Sequence, residues 1–309
     1  MATHTGTASA QVRETSKGTN NPLLGIAAAS IVVCIWSGWL IVTKVGAEST
    51  LTVFDIAALR FGLSCLVTLP VVIYFKPWRS MPLHRIVVLA VLAGVPYVLL
   101  SYTAFTFAPA AYGGVFMNGV IPALTLALGW FWLKERPRRG QLLGAALIIS
   151  GAVLAALEAI QGSVPGAWIG AVLFLTAACS FSLYLLLNRL WQITALQLFL
   201  CLSVVSGLIY IPIWYLFLPS NLAETAPSQI LLQGAYQMVP NLIGFNLVAI
   251  AVRNAGAPAT AAVMSAVPSL GAILGLLILD ERLGPLTWVG IVVLSAGILL
   301  TAVRPRASN

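Results

Sequence analysis

The segment "QILLQGAYQMVPN" places amide side chains at regular intervals within an apolar run. Gln229, Gln233, Gln237 and Asn241 follow one another every four residues. In a helix this spacing keeps them on one slowly winding face, and an amide that faces an apolar solvent is costly. We therefore expect the face to point inward, with Gln237 and Asn241 lining a binding cavity. The alternative is hydrogen bonding between helices.

A second set of candidate binding residues combines aromatic rings with small polar or flexible side chains. Its members are Trp36, Ser37, Trp39, Tyr97, Tyr102, Asn118, Ser182, Tyr184, Met264 and Ser265. Trp36 and Trp39 lie near the middle of their apolar run, whereas interfacial tryptophans anchor helix ends. These rings could form a stacking wall for a flat or apolar ligand. Plain aromatic packing is the alternative.

Charged residues are almost absent from the apolar runs. Arg60 is the exception, and it could hold a carboxylate of a ligand or pair with backbone carbonyls near a helix end. All acidic residues fall in or near loops or in the N-terminal tail, and both histidines lie outside the runs. Because no paired acids and no GxSxG or HExxH motif occur at depth, we expect no enzyme activity, no metal and no cofactor.

The composition itself indicates an integral membrane protein. Of the 309 residues 60% are hydrophobic and only 8% are charged, against about 25% charged in a typical soluble domain. The long apolar runs lack the alternation of barrel strands, so we predict an all-α fold. The ten predicted transmembrane helices cover residues 22–45, 52–74, 85–107, 110–133, 140–158, 166–187, 195–218, 227–251, 257–279 and 285–303.

The distribution of Lys and Arg predicts the orientation. Ten spans place both termini on one side, and the loops of the opposite side then hold only Lys44 and Arg282 of the 16 basic residues. The positive-inside rule therefore predicts that both termini are cytoplasmic. The net charge of +8 is explained by this topology and needs no nucleic-acid partner. The polar segment 1–21 is predicted to be a disordered cytoplasmic tail.

The two halves of the chain repeat each other. Adding 146 to a residue number between 122 and 156 leads to a matching residue, and slightly smaller offsets serve the upstream helices. The matches include Pro122 with Pro268, Glu135 with Glu281, Gly144 with Gly290, Lys44 with Arg189, Pro70 with Pro212 and Pro96 with Pro240. Each unit has five helices, an odd number, so the second unit is predicted to be inverted in the membrane. We predict repeats at 22–158 and 159–303, followed by a cytoplasmic tail at 304–309.

Several glycines and prolines suggest packing and bending. Proline inside a helix removes a backbone hydrogen bond and bends the helix. Pro122 and Pro268 are predicted as hinges because both lie mid-span; static bends are the alternative. The glycine pairs 140/144 and 271/275 predict close helix packing within the chain. Inverted repeats and matched hinges are typical of transporters that alternate between two open states.

These motifs resemble the EamA-type branch of the drug/metabolite transporter superfamily. The resemblance rests on "IWSGW", "ALRFG", "LKERPRRGQLLGAALIISGAVL" and "LILDERLGPLTWVGIVVLSAGILL". It implies an inner-membrane exporter of amino acids, aromatic ones included, or of related small metabolites. The recurrence of "LRFG" in members with varied substrates favours a structural role for Arg60.

Broad efflux of aromatic or cationic drugs is the alternative among transporters, and a channel or membrane scaffold is the alternative outside them. We expect the protein to be a monomer that contacts membrane lipid, and we expect its substrate to be a small molecule. Because no buried acid is evident at mid-membrane, we expect facilitated transport or exchange.

Overall fold

The structure, a computed structural model, describes residues 21–161 and 164–302. Within these ranges all regular secondary structure is helical, and ten helices are long and apolar enough to cross a membrane. Their bounds are α1 Pro22–Ala47, α2 Val53–Phe75, α3 Leu83–Phe107, α4 Ala110–Leu133, α5 Arg139–Gln161, α6 Ala167–Trp191, α7 Ala195–Phe217, α8 Pro227–Ala255, α9 Ala257–Leu279 and α10 Pro285–Ala302. The predicted all-α fold is confirmed. Of the predicted tails, residues 1–20 and 304–309 lie outside the described residues.

The surface of the helices matches an apolar solvent. Large side chains such as Leu66, Tyr74 and Leu277 are at least two-thirds exposed, which water would not tolerate over so many residues. We call the side on which α1 begins and α10 ends the terminal side, and the opposite side the distal side. Short connections make successive helices alternate in direction between these two sides.

Equivalent helices of the two repeats begin with the same local structure. The Thr52 side chain accepts from the Asp55 amide, and the Asp55 side chain accepts from the Thr52 amide. Thr194 and Gln197 form the same reciprocal capping box at the start of α7. This arrangement satisfies two backbone donors that a helix start leaves without partners.

The ends of α4 and α9 are equivalent as well. Lys134 and Asp280 each adopt a left-handed conformation, with φ of 57° and 51°. The following amide then turns back to the helix, from Glu135 to the Gly129 carbonyl and from Glu281 to the Gly275 carbonyl. Such a cap satisfies a terminal carbonyl and stops the helix. Two glutamates are thereby held in the same local geometry on opposite sides of the molecule.

The inversion is visible in the packing of α5 against α10, the last helices of the two repeats. A Cβ atom added to Gly144 would lie 2.7 Å from the Gly297 carbonyl oxygen, and one added to Gly297 would lie 2.6 Å from the Gly144 carbonyl oxygen. Gly151 and Gly290 face each other in the same reciprocal way. The two helices therefore run antiparallel and touch backbone to backbone, as expected for inverted copies.

The other predicted glycine contacts differ. A Cβ atom on Gly140 would meet nothing within 4 Å, so only Gly144 of that pair packs closely. Gly271 lies against the Leu40 side chain, and Gly275 lies against the Glu281 carboxylate. Close helix packing is therefore found at Gly271, against α1, whereas the space above Gly275 is filled by the side chain of Glu281 and not by a second helix.

Five of the spanning helices contain an irregular segment. α3 is divided at Gly94 into Leu83–Ala93 and Val95–Phe107. The wider π-helical turns cover Gly113–Gly119 in α4, Phe199–Val205 in α7 and Pro240–Gly244 in α8, while α9 is divided between Met264 and Val267. Lipid tolerates irregular backbone only where protein or a cavity surrounds it. These breaks therefore locate the interior of the bundle.

Candidate functional site

A cavity of about 440 Å³ lies where the irregular helix segments meet. Nine of the ten helices contribute to its wall, and α5 does not. Most of the wall is apolar or aromatic, with Phe61, Phe181 and Phe245 among the rings. This size and lining are typical of a site for one small organic molecule.

Many of the predicted site residues meet in this cavity. They are Trp36, Trp39, Arg60, Tyr97, Asn118, Met264 and the two predicted hinges, Pro122 and Pro268. The ring of Tyr97 stacks on Phe181 with centroids 5.1 Å apart, and Trp36 meets Phe245 edge to face at 6.0 Å. The aromatic residues of both repeats therefore form one continuous wall.

Other predicted residues lie behind the wall and make structural contacts. Ser37 is fully buried and donates to the Val267 carbonyl at 3.2 Å. Ser265 donates to the Ala262 carbonyl in its own helix. Ser182 and Tyr184 are buried on α6, Tyr184 in an apolar cluster around Cys201, and the Ser182 hydroxyl has no hydrogen-bond partner among the described residues. The predicted role of Asn241 concerns a side chain outside the described part of the structure.

Gln237 forms the centre of a buried hydrogen-bond network on the distal side of the cavity. Its side-chain oxygen accepts from the Trp39 indole at 2.7 Å and from the Tyr102 hydroxyl at 2.8 Å. Its side-chain nitrogen donates to Thr43 at 3.1 Å and to the Gln233 oxygen at 3.0 Å. Because two donors and two acceptor sites are the whole capacity of an amide, Gln237 has no group left for a ligand in this conformation.

Gln233 extends the network towards the distal end. Its nitrogen donates to the Val42 carbonyl at 2.7 Å, and its side chain is buried. Gln233 and Gln237 of the α8 stripe thus point inward, as the spacing predicts. These amide side chains join α8 to α1 and α3 and cover the cavity on the distal side.

Arg60 reaches the cavity from α2. It is 7% exposed, and its guanidinium carbon lies 6.0 Å from the centre of the Trp39 ring, a cation–π distance. The guanidinium also hydrogen-bonds the Tyr102 side chain. Among the described residues that line the cavity, Arg60 is the one with a charge.

A buried acid occurs near the distal end of α2. Asp55 is fully buried and accepts from the Trp214 indole at 3.0 Å and from the Asn221 amide at 3.0 Å. The sequence places Asp55 near a loop and gives no sign of this burial. Its carboxylate ties α2 of the first repeat to α7 and the following loop of the second, away from the cavity wall.

The two equivalent glutamates have different partners. On the terminal side Glu135 receives two hydrogen bonds from Arg189, at 2.5 and 3.2 Å. On the distal side both oxygens of Glu281 accept from the Ala110 amide, at 2.8 and 2.9 Å, at the start of α4. Lys44, the equivalent of Arg189, instead donates to the Phe105 carbonyl and pairs with Glu48.

Glu281 is the more enclosed of the two glutamates. Burial raises its pKa above the ordinary 4.5, although the bond from Ala110 and the nearby charge of Lys44 act in the opposite direction. Two residues in equivalent local geometry therefore form an exposed ion pair at one end of the molecule and a partly buried helix cap at the other.

A second cavity, of about 490 Å³, opens on the distal side between α5 and α10. Glu158 on its wall accepts from the amides of Gly284 and Thr287, at 2.5 and 2.9 Å. A carboxylate at this position satisfies the free donors at the start of α10. The acid therefore has a structural role.

Repeat symmetry could have found the cavity residues that the sequence reading missed. Phe181 is the equivalent of Trp36 in the aligned motifs "CIWSGW" and "CSFSLY". Leu202 is the equivalent of Arg60, because each precedes the matched proline of its repeat, Pro212 or Pro70, by the same number of residues. Both members of each pair line the cavity. Phe245 gives no comparable signal, because it follows the irregular segment of α8.

Among the described residues no group of three His, Cys, Asp or Glu side chains is placed to hold a metal ion. The arrangement of an aromatic wall, one guanidinium and a covered distal side is suited to reversible binding of a small amphipathic molecule.

Comparison with known proteins identifies the family. A solved structure described as "Crystal structure of protein" superposes with a TM-score of 0.59 at 20% identity, over 91% of this chain and 96% of that one, and shows the fold alone. A relative from Bacillus subtilis (strain 168), described as "Uncharacterized transporter YwfM", is 25% identical over 242 residues, 74% of this chain and 79% of that protein. The sequence pattern of the EamA-like transporter family matches residues 23–157 and again residues 168–303, once in each repeat. The chain therefore belongs to the EamA-like transporter family and is a multi-pass membrane transporter of small solutes.

Proposed function

We propose that the protein exports amino acids or related small metabolites across the inner membrane by alternating access. The observation that carries the proposal is the central cavity, enclosed by helix breaks of two inverted repeats and covered on one side only by a compact polar network. Two inverted copies can exchange conformations, so that the cavity opens to one side and then to the other.

The reach of the cavity supports an inward-open state. Its wall extends on the terminal side to Ala261, one turn after α9 begins, and to Ile298, one turn before α10 ends. Towards the distal side the wall stops at Arg60 and Trp39, and the Gln237 network lies beyond them. With the terminal side cytoplasmic, as the positive-inside rule predicts, the solute would enter from the cytoplasm.

The unequal ends of the molecule support an exchange of contacts between the two states. On the closed distal side Glu281 of the second repeat caps the start of α4 in the first repeat. The equivalent contact on the open side would join Glu135 to the amide of Ala257, where α9 starts, but Glu135 is held by Arg189. In the outward-open state we expect Glu135 to cap α9 and Glu281 to pair with Lys44.

The moving units in this proposal are the predicted repeats, 22–158 and 159–303, with cytoplasmic tails at 1–21 and 304–309. Pro122 and Pro268 are the proposed hinges, because both line the cavity directly after an irregular segment. A single chain supplies both repeats and the whole cavity wall, which supports a monomer. Because the described residues of that wall include no Asp or Glu, we propose facilitated transport or exchange, with no proton carried by a cavity residue.

Counterflow in proteoliposomes tests the transport proposal. Vesicles containing the purified protein are loaded with one unlabelled amino acid, diluted into a trace of the labelled form, and assayed with and without a pH gradient. We expect transient accumulation of the label that saturates and does not depend on the gradient. The panel contains aromatic and aliphatic amino acids and their 2-oxo acids. Counterflow of cationic drugs alone would instead favour broad efflux.

A further inference from the structure

We infer that the cavity selects organic anions, namely a single carboxylate on an apolar and preferably aromatic body without an ammonium group. The inference rests on the proposed function, because it concerns the substrate of the same cavity. It narrows that proposal from amino acids and related metabolites to their singly charged acidic relatives.

The first argument is that the two repeats furnish opposite chemistry at equivalent positions. Arg60 of the first repeat corresponds to Leu202 of the second, and both line the cavity. Asn118 corresponds in the same way to Met264. Because the two repeats share one backbone fold, these residue differences make the half of the wall from the first repeat more polar and cationic than the half from the second. A solute with a charged head and an apolar body fits this division.

The second argument concerns the polar half, which can serve a carboxylate. The Arg60 guanidinium offers donors in a fork that suits carboxylate oxygens. The Asn118 amide faces the cavity and has no hydrogen-bond partner within residues 21–161 or 164–302. The Tyr97 hydroxyl donates to the Met117 sulphur, at 3.6 Å. Since sulphur is a weak acceptor, this hydroxyl can turn to a stronger one.

The third argument concerns the apolar half. Phe181 and Phe245 of the second repeat present rings to the cavity, and Leu202 and Met264 complete the surface. Trp36 of the first repeat lies beside Phe245, with ring centroids 6.0 Å apart. A planar aromatic body can stack or meet these rings edge on, and methionine adapts to the shape of its neighbour. A volume of about 440 Å³ leaves room for a body of one or two rings.

The fourth argument concerns the lack of a carboxylate partner for an ammonium group. No Asp or Glu belongs to the described cavity wall. Asp55, the buried acid of α2, is occupied by the Trp214 indole and backbone amides. A cation that leaves water without a carboxylate partner is strongly disfavoured, and Arg60 would repel it further. A zwitterion should therefore bind more weakly than the same carboxylate without its ammonium group.

Equilibrium binding to the purified full-length protein at pH 8 tests the inference with four compounds that share one phenyl group. They are labelled 3-phenylpropanoate, an anion, with phenylalanine, 2-phenylethylamine and 3-phenylpropanamide as zwitterionic, cationic and neutral competitors. Binding measurements avoid passive leakage of weak acids through vesicles. We expect 3-phenylpropanoate to bind at least about tenfold more tightly than each of the other three, a difference of about 1.4 kcal/mol.

Variants assign the effect to the guanidinium. Arg60→Gln should weaken 3-phenylpropanoate at least about tenfold and leave 3-phenylpropanamide unchanged, whereas Arg60→Lys should keep part of the affinity because it keeps the charge. Arg136→Gln removes an exposed positive charge from a loop and serves as the control. If Arg60→Gln fails to elute as a monodisperse protein, the compound series on the unmodified protein decides alone.

Three results would overturn the inference: phenylalanine binding as tightly as 3-phenylpropanoate, none of the four compounds binding, or a folded Arg60→Gln variant with unchanged affinity. The proposed function is judged separately by counterflow. Saturable counterflow of phenylalanine together with its tighter binding would sustain export of amino acids while refuting selection for anions. Absence of counterflow across the whole panel would refute the proposed function itself.

Discussion

The indole nitrogen of Trp39 donates to the side-chain oxygen of Gln237 at 2.7 Å, joining the first repeat to the second directly beside the cavity. The Trp39 ring lines the cavity on its other face and lies within cation–π distance of Arg60. A solute that contacts this ring therefore also contacts the network that covers the distal side. This relationship gives the binding site a direct physical connection to the closed end.

Replacement of Gln237 by Leu should open the distal side. The change removes three hydrogen bonds from α8 to α1 and α3, each worth about 0.6 kcal/mol between membrane helices, so closure weakens by roughly 2 kcal/mol. In a variant without the native cysteines and with Asn118→Cys, labelling by an impermeant maleimide from the distal side should become faster by at least about tenfold.

The matched control for this experiment is Gln229→Leu, two turns earlier on the same face of α8. No hydrogen bond of the Gln229 side chain joins it to another described helix, and its oxygen is buried without a partner. Its labelling rate should stay close to that of the parent protein. Equal rates in the Gln237 and Gln229 variants would mean that the network does not close the cavity.

The backbone contact between α5 and α10 predicts a sharp difference between two glycines one turn apart. Gly144→Val inserts side-chain atoms where the Gly297 carbonyl lies, whereas Gly140→Val meets open space. Overpacking of this kind costs about 1–3 kcal/mol. We expect the thermal unfolding midpoint in detergent to fall by several degrees for Gly144→Val and to change little for Gly140→Val.

The sequence predicts the ten helices and their duplication well, because hydropathy and residue spacing are local properties. It also predicts that the amides of α8 face inward. The use of Gln237 as the centre of a network could not be read from α8 alone, because its partners Trp39, Thr43 and Tyr102 come from α1 and α3. A polar stripe shows where an amide points and leaves open whether protein or solute satisfies it.

Neighbours distant in sequence also explain why some predicted site residues reach the cavity and others do not. Asn118 and Pro122 lie at the irregular segment of α4, which the sequence marks by glycine and proline, and they reach the cavity, as does Trp36 from the uninterrupted α1. Ser37 and Ser265 lie beside such residues but use their hydroxyls on backbone carbonyls. Small polar side chains form such bonds readily, so adjacency in sequence to a cavity residue is weak support for a ligand contact.

Glu281 predicts a pH dependence of stability. Because its pKa is raised by burial, the folded protein binds this proton more tightly than the unfolded chain does. The tighter proton binding stabilises the folded protein fully below the ordinary pKa of 4.5, and this stabilisation is lost as the pH rises through the raised pKa. Lys44 and Glu48 are the charged groups that face this carboxyl. The thermal unfolding midpoint should therefore fall over this pH range.

Glu281→Gln should remove this pH dependence, because the amide side chain has no titratable proton. Its oxygen can still accept from the Ala110 amide, so the helix cap is kept. The difference in unfolding midpoint between the parent protein and the variant should shrink towards low pH and grow, in favour of the variant, as pH rises. Glu224→Gln, an exposed loop change on the same side, provides the control. A pH profile that is unchanged by Glu281→Gln would rule out this carboxyl as its source.

The ion pair between Arg189 and Glu135 predicts a shift between the two proposed states. Both side chains are about half exposed or more, 66% and 47%, so the pair stabilises its state by about 1 kcal/mol at most. Arg189→Gln should release Glu135 to cap α9, as Glu281 caps α4, and so favour the outward-open state.

Labelling of Asn118→Cys from the distal side should then rise by at most about fivefold, and less at high salt. Adding Glu135→Ala should abolish the rise, because alanine has no side-chain oxygen to accept from the α9 amide, whereas Arg136→Gln should cause none. A rise that persists in the double variant would show that Arg189 acts through a different partner.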